Sequence, residues 1–420
     1  MRTPNCGLAL ILGSLVITPC AGLADNSAAA IPSRADPALV RFVQTVVDMN
    51  PRVQAAQSAL HVSDSLKNAA SRPLYNPLLS LDAENADIDS RSIGISQTLD
   101  WTGKRNARTS VAEFERQAAK AEYLSTRWAV TVELLGGLAL HQTGIDREAL
   151  ANSRRLLMRD FADLAQRRYT AGDLSEVEVA LANLAATQAR IEKATAGAKL
   201  AEARQTVRNV ASRVPVKQWP LLPDDMPDLS LEDFDPQALV LTLPNVAAVR
   251  SQAQSANAMV DLRRLERKPD PTISLAGGEA DGETLIGINL SIPLFVRNRF
   301  DYEVSAAVAQ QSQAQQLAHD VTQRAQARLI SAGERYELSR GAWEDWKLTG
   351  QTSLSQQADQ LQRLWEAGEL STTEYLVQLR QTLDVKESAL NLRQALWRAW
   401  FEWLWASGQM GSWLGEAEIR

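Results

Sequence analysis

The sequence predicts a mainly helical protein made of one unit used twice, each copy carrying two short strands and one very long helical hairpin. Three observations lead there. First, motifs recur in the same order in both halves of the 420 residues. Tyr75-Asn76-Pro77-Leu78-Leu79-Ser80-Leu81 is echoed by Pro269-Asp270-Pro271-Thr272-Ile273-Ser274-Leu275, and Ser92-Ile93-Gly94-Ile95-Ser96 by Leu285-Ile286-Gly287-Ile288-Asn289. Tyr169-Thr170-Ala171-Gly172-Asp173-Leu174-Ser175 is echoed by Trp365-Glu366-Ala367-Gly368-Glu369-Leu370-Ser371. The offsets of 194, 193 and 196 residues fit a duplicated, domain-sized unit and not a short-period solenoid. Second, the segments before each long helix alternate apolar and small or polar residues with period two. Third, helical periodicity runs unbroken over about 104–168 and about 298–365, lengths no compact domain needs.

Taken in order, residues 1–24 read as an export signal. Arg2 supplies the positive start, Gly7 to Pro19 is apolar but too short to span a bilayer, and Gly22 and Ala24 are small residues suited to cleavage after Ala24. A second reading makes Cys20 a lipidated first residue, against which Pro19 argues. Both cysteines, Cys6 and Cys20, precede the cleavage point, so no disulfide is expected in the mature chain.

The first repeat spans 25–213: a helix over about 38–71, strands at 78–84 and 92–99, and a long hairpin over 104–212. A linker at 214–236 is marked by Pro215, Pro220, Pro223, Pro227 and Pro236. The second repeat spans 237–407: a helix over about 246–267, strands at 271–277 and 285–292, and a hairpin over 298–405. Residues 408–420 form a tail.

In the strands, Ile93, Ile95 and Leu99 oppose Ser92, Gly94, Ser96 and Thr98, while Ile286, Ile288, Leu290 and Ile292 oppose Leu285, Gly287, Asn289 and Ser291. Alternation alone fits a half-buried sheet of a soluble protein as well as a barrel wall. Trp101 and Phe295, at the strand ends, sit where an interfacial girdle belongs. Beyond the leader no apolar stretch of about 20 residues exists, so entry into a membrane requires a closed barrel.

The helices carry seams at coiled-coil spacing: Leu150, Leu157, Phe161 and Leu164 in the first hairpin, and Val304, Val308, Gln311, Ala318, Val321, Ala325 and Leu329 in the second. At the reversals, Gly172 and Gly368 permit the left-handed turn that ends a helix, and Ser175 and Ser371 are placed to cap the return helix. Trp397, Trp400 and Leu404 share one helical face in a tryptophan-rich end that includes Trp403, Trp405 and Trp413; burial is the expected use.

Composition excludes several functions. With 44 Lys+Arg against 50 Asp+Glu the formal net charge is -6, which argues against a nucleic-acid partner. His61, His141 and His319 lie on separate helical stretches, so no metal site and no catalytic constellation is expected, and no enzyme activity with them. Gly136-Gly137, Gly277-Gly278 and Gly287 lack the phosphate-loop pattern, and no cofactor is expected.

The duplicated order of helix, two strands, long helix, turn and long helix resembles the TolC family of outer-membrane efflux proteins. The carriers are Asn50-Pro51 with Leu243-Pro244, the two strand pairs, and the paired turns at 169–175 and 365–371, which together cover about Pro37 to Trp405. A finer match, Gln97-Thr98-Leu99-Asp100-Trp101-Thr102-Gly103-Lys104-Arg105 with Ile292-Pro293-Leu294-Phe295-Val296-Arg297-Asn298-Arg299, is similar to the heavy-metal cation efflux (CzcC-like) branch, except that Trp101-Thr102 replaces part of the usual glycine-rich stretch.

The resemblance implies a homotrimer in the outer membrane of a Gram-negative bacterium, with a 12-stranded barrel on a periplasmic helical tunnel. It implies passive export of heavy-metal cations, driven by an inner-membrane proton-driven (RND-type) pump through a periplasmic adaptor. In that setting Ile93, Ile95, Leu99, Ile286, Ile288 and Leu290 face lipid, and Trp101 and Phe295 mark the interface. Tyr169, Gly172, Ser175, Trp365, Gly368 and Ser371 form the tips that meet the adaptor, and Asp173, Glu176, Glu369 and Glu374 become rings of three carboxylates at an aperture. Two other readings remain: a channel for drugs or other organic substrates, and a periplasmic coiled-coil adaptor. Adaptors normally carry a single hairpin, whereas two occur here.

Overall fold

The computed structural model describes residues 34–85, 89–224, 226–227 and 235–415. The leader, part of the linker and the last five residues lie outside these.

Two helices open the described chain, α1 (Pro37–Asp48) and α2 (Pro51–Ala70). One continuous helix was expected over 38–71, but Pro51 has no N–H to donate and excludes the helical conformation from the residue before it. Asn50 caps α2 by accepting from the Arg52 amide at 2.9 Å. The same break recurs in the second repeat, where Leu243-Pro244 separates α5 (Pro236–Thr242) from α6 (Pro244–Glu266).

The strands β1 (Leu78–Glu84), β2 (Ser90–Thr98), β3 (Thr272–Ala280) and β4 (Glu283–Ser291) form one antiparallel sheet in the order β1-β2-β3-β4. β3 runs past its expected end because Gly277 and Gly278 remain in the ladder, pairing with Ile286 and Leu285. Gly278 has a packing reason: a Cβ there would sit 2.2 Å from the Arg91 carbonyl oxygen of β2. The β3–β4 turn is the two-residue Asp281-Gly282, both at positive φ (54° and 78°), the conformation a tight hairpin requires. β1 and β4 each keep one unpaired edge.

From the sheet the chain enters α3 (Lys104–Thr170), 67 residues long and therefore about 100 Å. It returns through α4 (Glu176–Val210). In the second repeat the outgoing helix is interrupted. α7 (Asp301–Asp345) gives way to a five-residue π-helical turn, Trp346–Gly350, before α8 (Gln351–Glu366). Trp346 folds over Gly350 so closely that a Cβ at 350 would lie 2.3 Å from its ring. α9 (Thr372–Ser407) returns, and α10 (Met410–Leu414) follows.

The helices bury their side chains in three separate places. A small cluster of Val111, Ala258 and Leu262 lies nearest the sheet. The largest core forms a waist where α1, α3, α7 and α9 meet, with Leu134, Leu138, Tyr336, Leu396, Trp400 and Leu404 among its members. Met158, Phe161, Ala165, Ala189, Trp365 and Tyr375 form a third near the hairpin ends.

Part of the expected linker and tail belongs to the waist. Trp219, Leu222, Met410, Trp413 and Leu414 are buried in it. The α7 seam also shifts by one residue at its start: Ala307 is buried and Val308 is exposed, so the contact there is made by the smaller side chain.

Candidate functional site

The sheet register places every apolar strand residue of one parity on one surface. Leu79, Ile95, Leu275 and Ile288 form one row across all four strands, and Leu81, Ile93, Gly277 and Ile286 the next. The opposite surface carries Leu78, Ser96, Ser274 and Asn289, then Ser80, Gly94, Ala276 and Gly287, so it is mostly small and polar, with Leu78 and Leu285 as its leucines. Directly opposed residues in antiparallel pairs point the same way, so the segregation is a property of the register.

The apolar surface is bare. Ile286 and Ile288 are 80% and 79% exposed, and Ile93, Ile95 and Leu290 are also exposed. Leu99 lies just past the end of β2, holding on through its amide to the Pro271 carbonyl at 2.9 Å. Such a contiguous exposed apolar face is not tolerated in water and marks a contact with lipid or protein.

At the helix-side end of the sheet, Trp101 is exposed and donates through Nε1 to the Pro269 carbonyl at 3.1 Å. Phe295 differs: it is half-buried edge-on against Phe300, with ring centroids 5.1 Å apart, so its ring is committed to a neighbour. Beside Trp101 lies a charged joint that sequence reading missed. Lys104 pairs with Asp270 at 2.9 Å, both largely shielded, and donates to the Lys268 carbonyl at 2.6 Å. Tyr75 donates its hydroxyl to the same aspartate at 3.2 Å. This joint ties the start of α3 in the first repeat to the entry of β3 in the second. Its partners are far apart in sequence, so no local pattern announces it.

At the far end of the hairpins, the two reversals use the same devices. Gly172 and Gly368 adopt φ of 87° and 79°. The Asp173 amide closes on the Arg168 carbonyl, and the Glu369 amide on the Leu364 carbonyl, each at 2.9 Å. Ser175 and Ser371 then open α4 and α9 through reciprocal caps with Glu178 and Glu374. The Ser371 hydroxyl lies 2.7 Å from Glu374 and its amide 3.0 Å from it. These bonds hold the Glu374 carboxyl below its ordinary range, and the Ser175 amide and hydroxyl do the same for Glu178. Glu374 is thus engaged in ending the turn, and Asp173, Glu176 and Glu369 are exposed.

The aromatic residues aligned by the repeat part company. Tyr169 is exposed, but Trp365 is buried between Phe161 and Tyr375, with centroids at 4.5 and 5.1 Å. The Arg168 guanidinium lies 4.9 Å over the Trp365 ring and donates to the Glu366 carbonyl at 3.0 Å. Trp365 therefore fastens the second hairpin to the first and does not present a surface.

The histidines stay apart. His61 and His319 are exposed; His141 is buried edge-on against Trp219 at 4.8 Å, and burial with the nearby Arg204 lowers its pKa. Among the described residues no group of three or more His, Cys, Asp or Glu is placed to hold a metal ion, and no helix is long and apolar enough to cross a membrane.

Comparison with known proteins places this geometry. Residues 43–212 match the family model for the outer membrane efflux protein. The chain is 26% identical over 289 residues to the cobalt-zinc-cadmium resistance protein CzcC of Cupriavidus metallidurans, covering 66% of this chain and 68% of that one. It is 25% identical over 340 residues to the nickel-cobalt-cadmium resistance protein NccC of Alcaligenes xylosoxydans xylosoxydans, covering 75% and 74%. Among solved structures, the Campylobacter jejuni CmeC outer membrane channel superposes with a TM-score of 0.75 at 14% identity, covering 89% of this chain and 86% of that one. Over residues 43–212 the chain is thus similar to the outer membrane efflux proteins, and over most of its length it shares the fold of a solved outer membrane channel.

Proposed function

We propose that three copies of this chain close a 12-stranded barrel in the outer membrane and extend a helical tunnel into the periplasm, as the outlet for heavy-metal cations expelled by an inner-membrane proton-driven pump. The observation that carries the reading is the sheet. It has one exposed face whose central rows are aliphatic, one face made mostly of small and polar residues, and two unpaired edges. Four strands cannot close on themselves, and an open edge is not stable in hydrocarbon, so the β1 edge of one copy must pair with the β4 edge of the next. The small and polar face then lines the lumen.

With the barrel in the outer membrane, the reversals at Gly172 and Gly368 lie about 100 Å away. They point toward the inner membrane and meet a periplasmic adaptor through Tyr169, Ser175 and Ser371. In a trimer, Asp173, Glu176 and Glu369 each form a ring of three carboxylates, which favours cations over anions. The names of the cobalt-zinc-cadmium resistance protein CzcC and the nickel-cobalt-cadmium resistance protein NccC support a metal cargo.

The test is deletion of this chain from its native host. Loss of tolerance to cobalt, zinc, cadmium or nickel, restored by the wild-type chain, is the expected result. Unchanged metal tolerance with lost tolerance to organic toxicants would overturn the metal reading and leave the channel in place.

A further inference from the structure

The two ends of the sheet differ in charge. At the hairpin-turn end the described residues include Glu84, Asp89, Glu279, Asp281 and Glu283, with Arg91 as their one nearby cation. At the helix-side end three carboxylates have a cation: Asp270 has Lys104, Asp100 has Arg108 at 3.2 Å, and Asp301 has Arg267 at 3.0 Å. Two exposed arginines are left over in the first repeat. Arg72 and Arg105 line one open groove of about 740 Å³ together with Leu74, Asn76, Trp101 and Asn106. Neither guanidinium has an ion-pair partner among the described residues. Leu74 and Trp101 are 60% and 65% exposed, and the groove they share also takes in Leu99 at the end of β2.

We propose that this groove holds the phosphate headgroup of an anionic phospholipid from the membrane leaflet nearest the helices, an inference that rests on the sheet being a barrel wall. Arg72 and Arg105 supply the planar donors that suit a phosphate, and Asn76 and Asn106 add amide donors. Leu74 and Trp101 meet the first segment of the acyl chains at the interface, where tryptophan is favoured. A free phosphate has no use for that apolar floor. A neighbouring copy is the poorer occupant. Closing the barrel brings the exit of its β4, with the exposed Arg297 and Arg299, toward the same place. Like charges there repel unless an anion lies between them.

The experiment uses the full-length assembly in detergent, titrated with phosphatidylglycerol carrying brominated acyl chains. Bound lipid is counted by native mass spectrometry, and Trp101 quenching is read as the difference from Trp101→Phe. Wild type is expected to bind and to show quenching. The pair Arg72→Gln with Arg105→Gln should weaken binding roughly 30-fold, while Arg72→Lys with Arg105→Lys, which keeps the charge, should retain most of it. Tenfold excess inorganic phosphate should not displace the lipid. Unchanged lipid binding in the glutamine pair, or displacement by inorganic phosphate, would overturn the proposal. Flotation of wild type with vesicles reads the barrel separately: failure to float overturns both readings, and flotation with unaltered lipid retention in the glutamine pair overturns this one alone.

Discussion

The sheet and the waist are made from the same kinds of residue turned in opposite directions. At the waist, Leu404 and Trp400 are fully buried. In the sheet, Ile286 and Ile288 stand almost completely free, while the surface behind them carries glycine, serine and asparagine. A soluble protein puts its aliphatic side chains between layers. Here one part of the chain does so and the other does the reverse, which is the signature of a solvent that changes along the molecule. The long helices connect the two regimes, and their seams are alanine-rich because they must pack closely without adding more apolar surface.

The comparison can be broken from either side. At the waist, Trp400→Ala removes a ring stacked at 5.3 Å on Trp403 and at 5.1 Å from Tyr336. It should cost about 3–5 kcal/mol, read as a lower thermal midpoint of the helical signal. In the sheet, Ile288→Arg should cost roughly 2–4 kcal/mol near the bilayer midplane, and Asn289→Arg far less, read as the yield of heat-modifiable oligomer in the membrane fraction. Equal yields would remove the distinction between the two faces.

Smaller effects sharpen it at the tips. A Cβ at Gly368 would meet no atom within 4 Å, so Gly368→Val acts through the left-handed backbone and should cost roughly 1–2 kcal/mol, read as faster amide exchange around the reversal. Ser371→Ala removes one half of a capping box and should cost about 1 kcal/mol by the same measurement.

The smallest effect concerns pH. Burial and Arg204 depress the pKa of His141 below its ordinary 6.5. The unfolded chain therefore binds the proton more readily than the folded one. The stability of the waist should be fully present above pH 6.5 and fall as the pH drops below it. In His141→Gln, melting curves measured from pH 7.5 to 5 should lose this component of the slope.

Much of this was legible in sequence, for identifiable reasons. The apolar face of the strands follows from period-two alternation, and the reversals follow from glycine and serine at fixed spacing, because both signals are local. What was read wrongly was local as well but ambiguous. Gly277-Gly278 looked like the end of a strand, although glycine there serves the close approach of Arg91. Asn50-Pro51 was visible, yet the helix was carried through it. Val308 was placed on a seam that Ala307 occupies, since alanine is a weak marker of burial. What could not be read depended on distant partners. The Lys104–Asp270 joint unites the two repeats, and the burial of Trp365 under Arg168 separates it from the exposed Tyr169 with which it aligns.

The central claim is that the exposed isoleucine face meets lipid and the face behind it meets water. Because the only cysteines are Cys6 and Cys20, a single cysteine can be placed on either face and probed in intact membranes. The decisive measurement is labelling of Ile288→Cys and Asn289→Cys by a water-soluble maleimide in outer-membrane vesicles, compared with labelling after unfolding. The account predicts that position 289 reacts readily and position 288 is protected until the membrane and fold are removed. Equal labelling at the two adjacent positions, or protection at 289 alone, would contradict it.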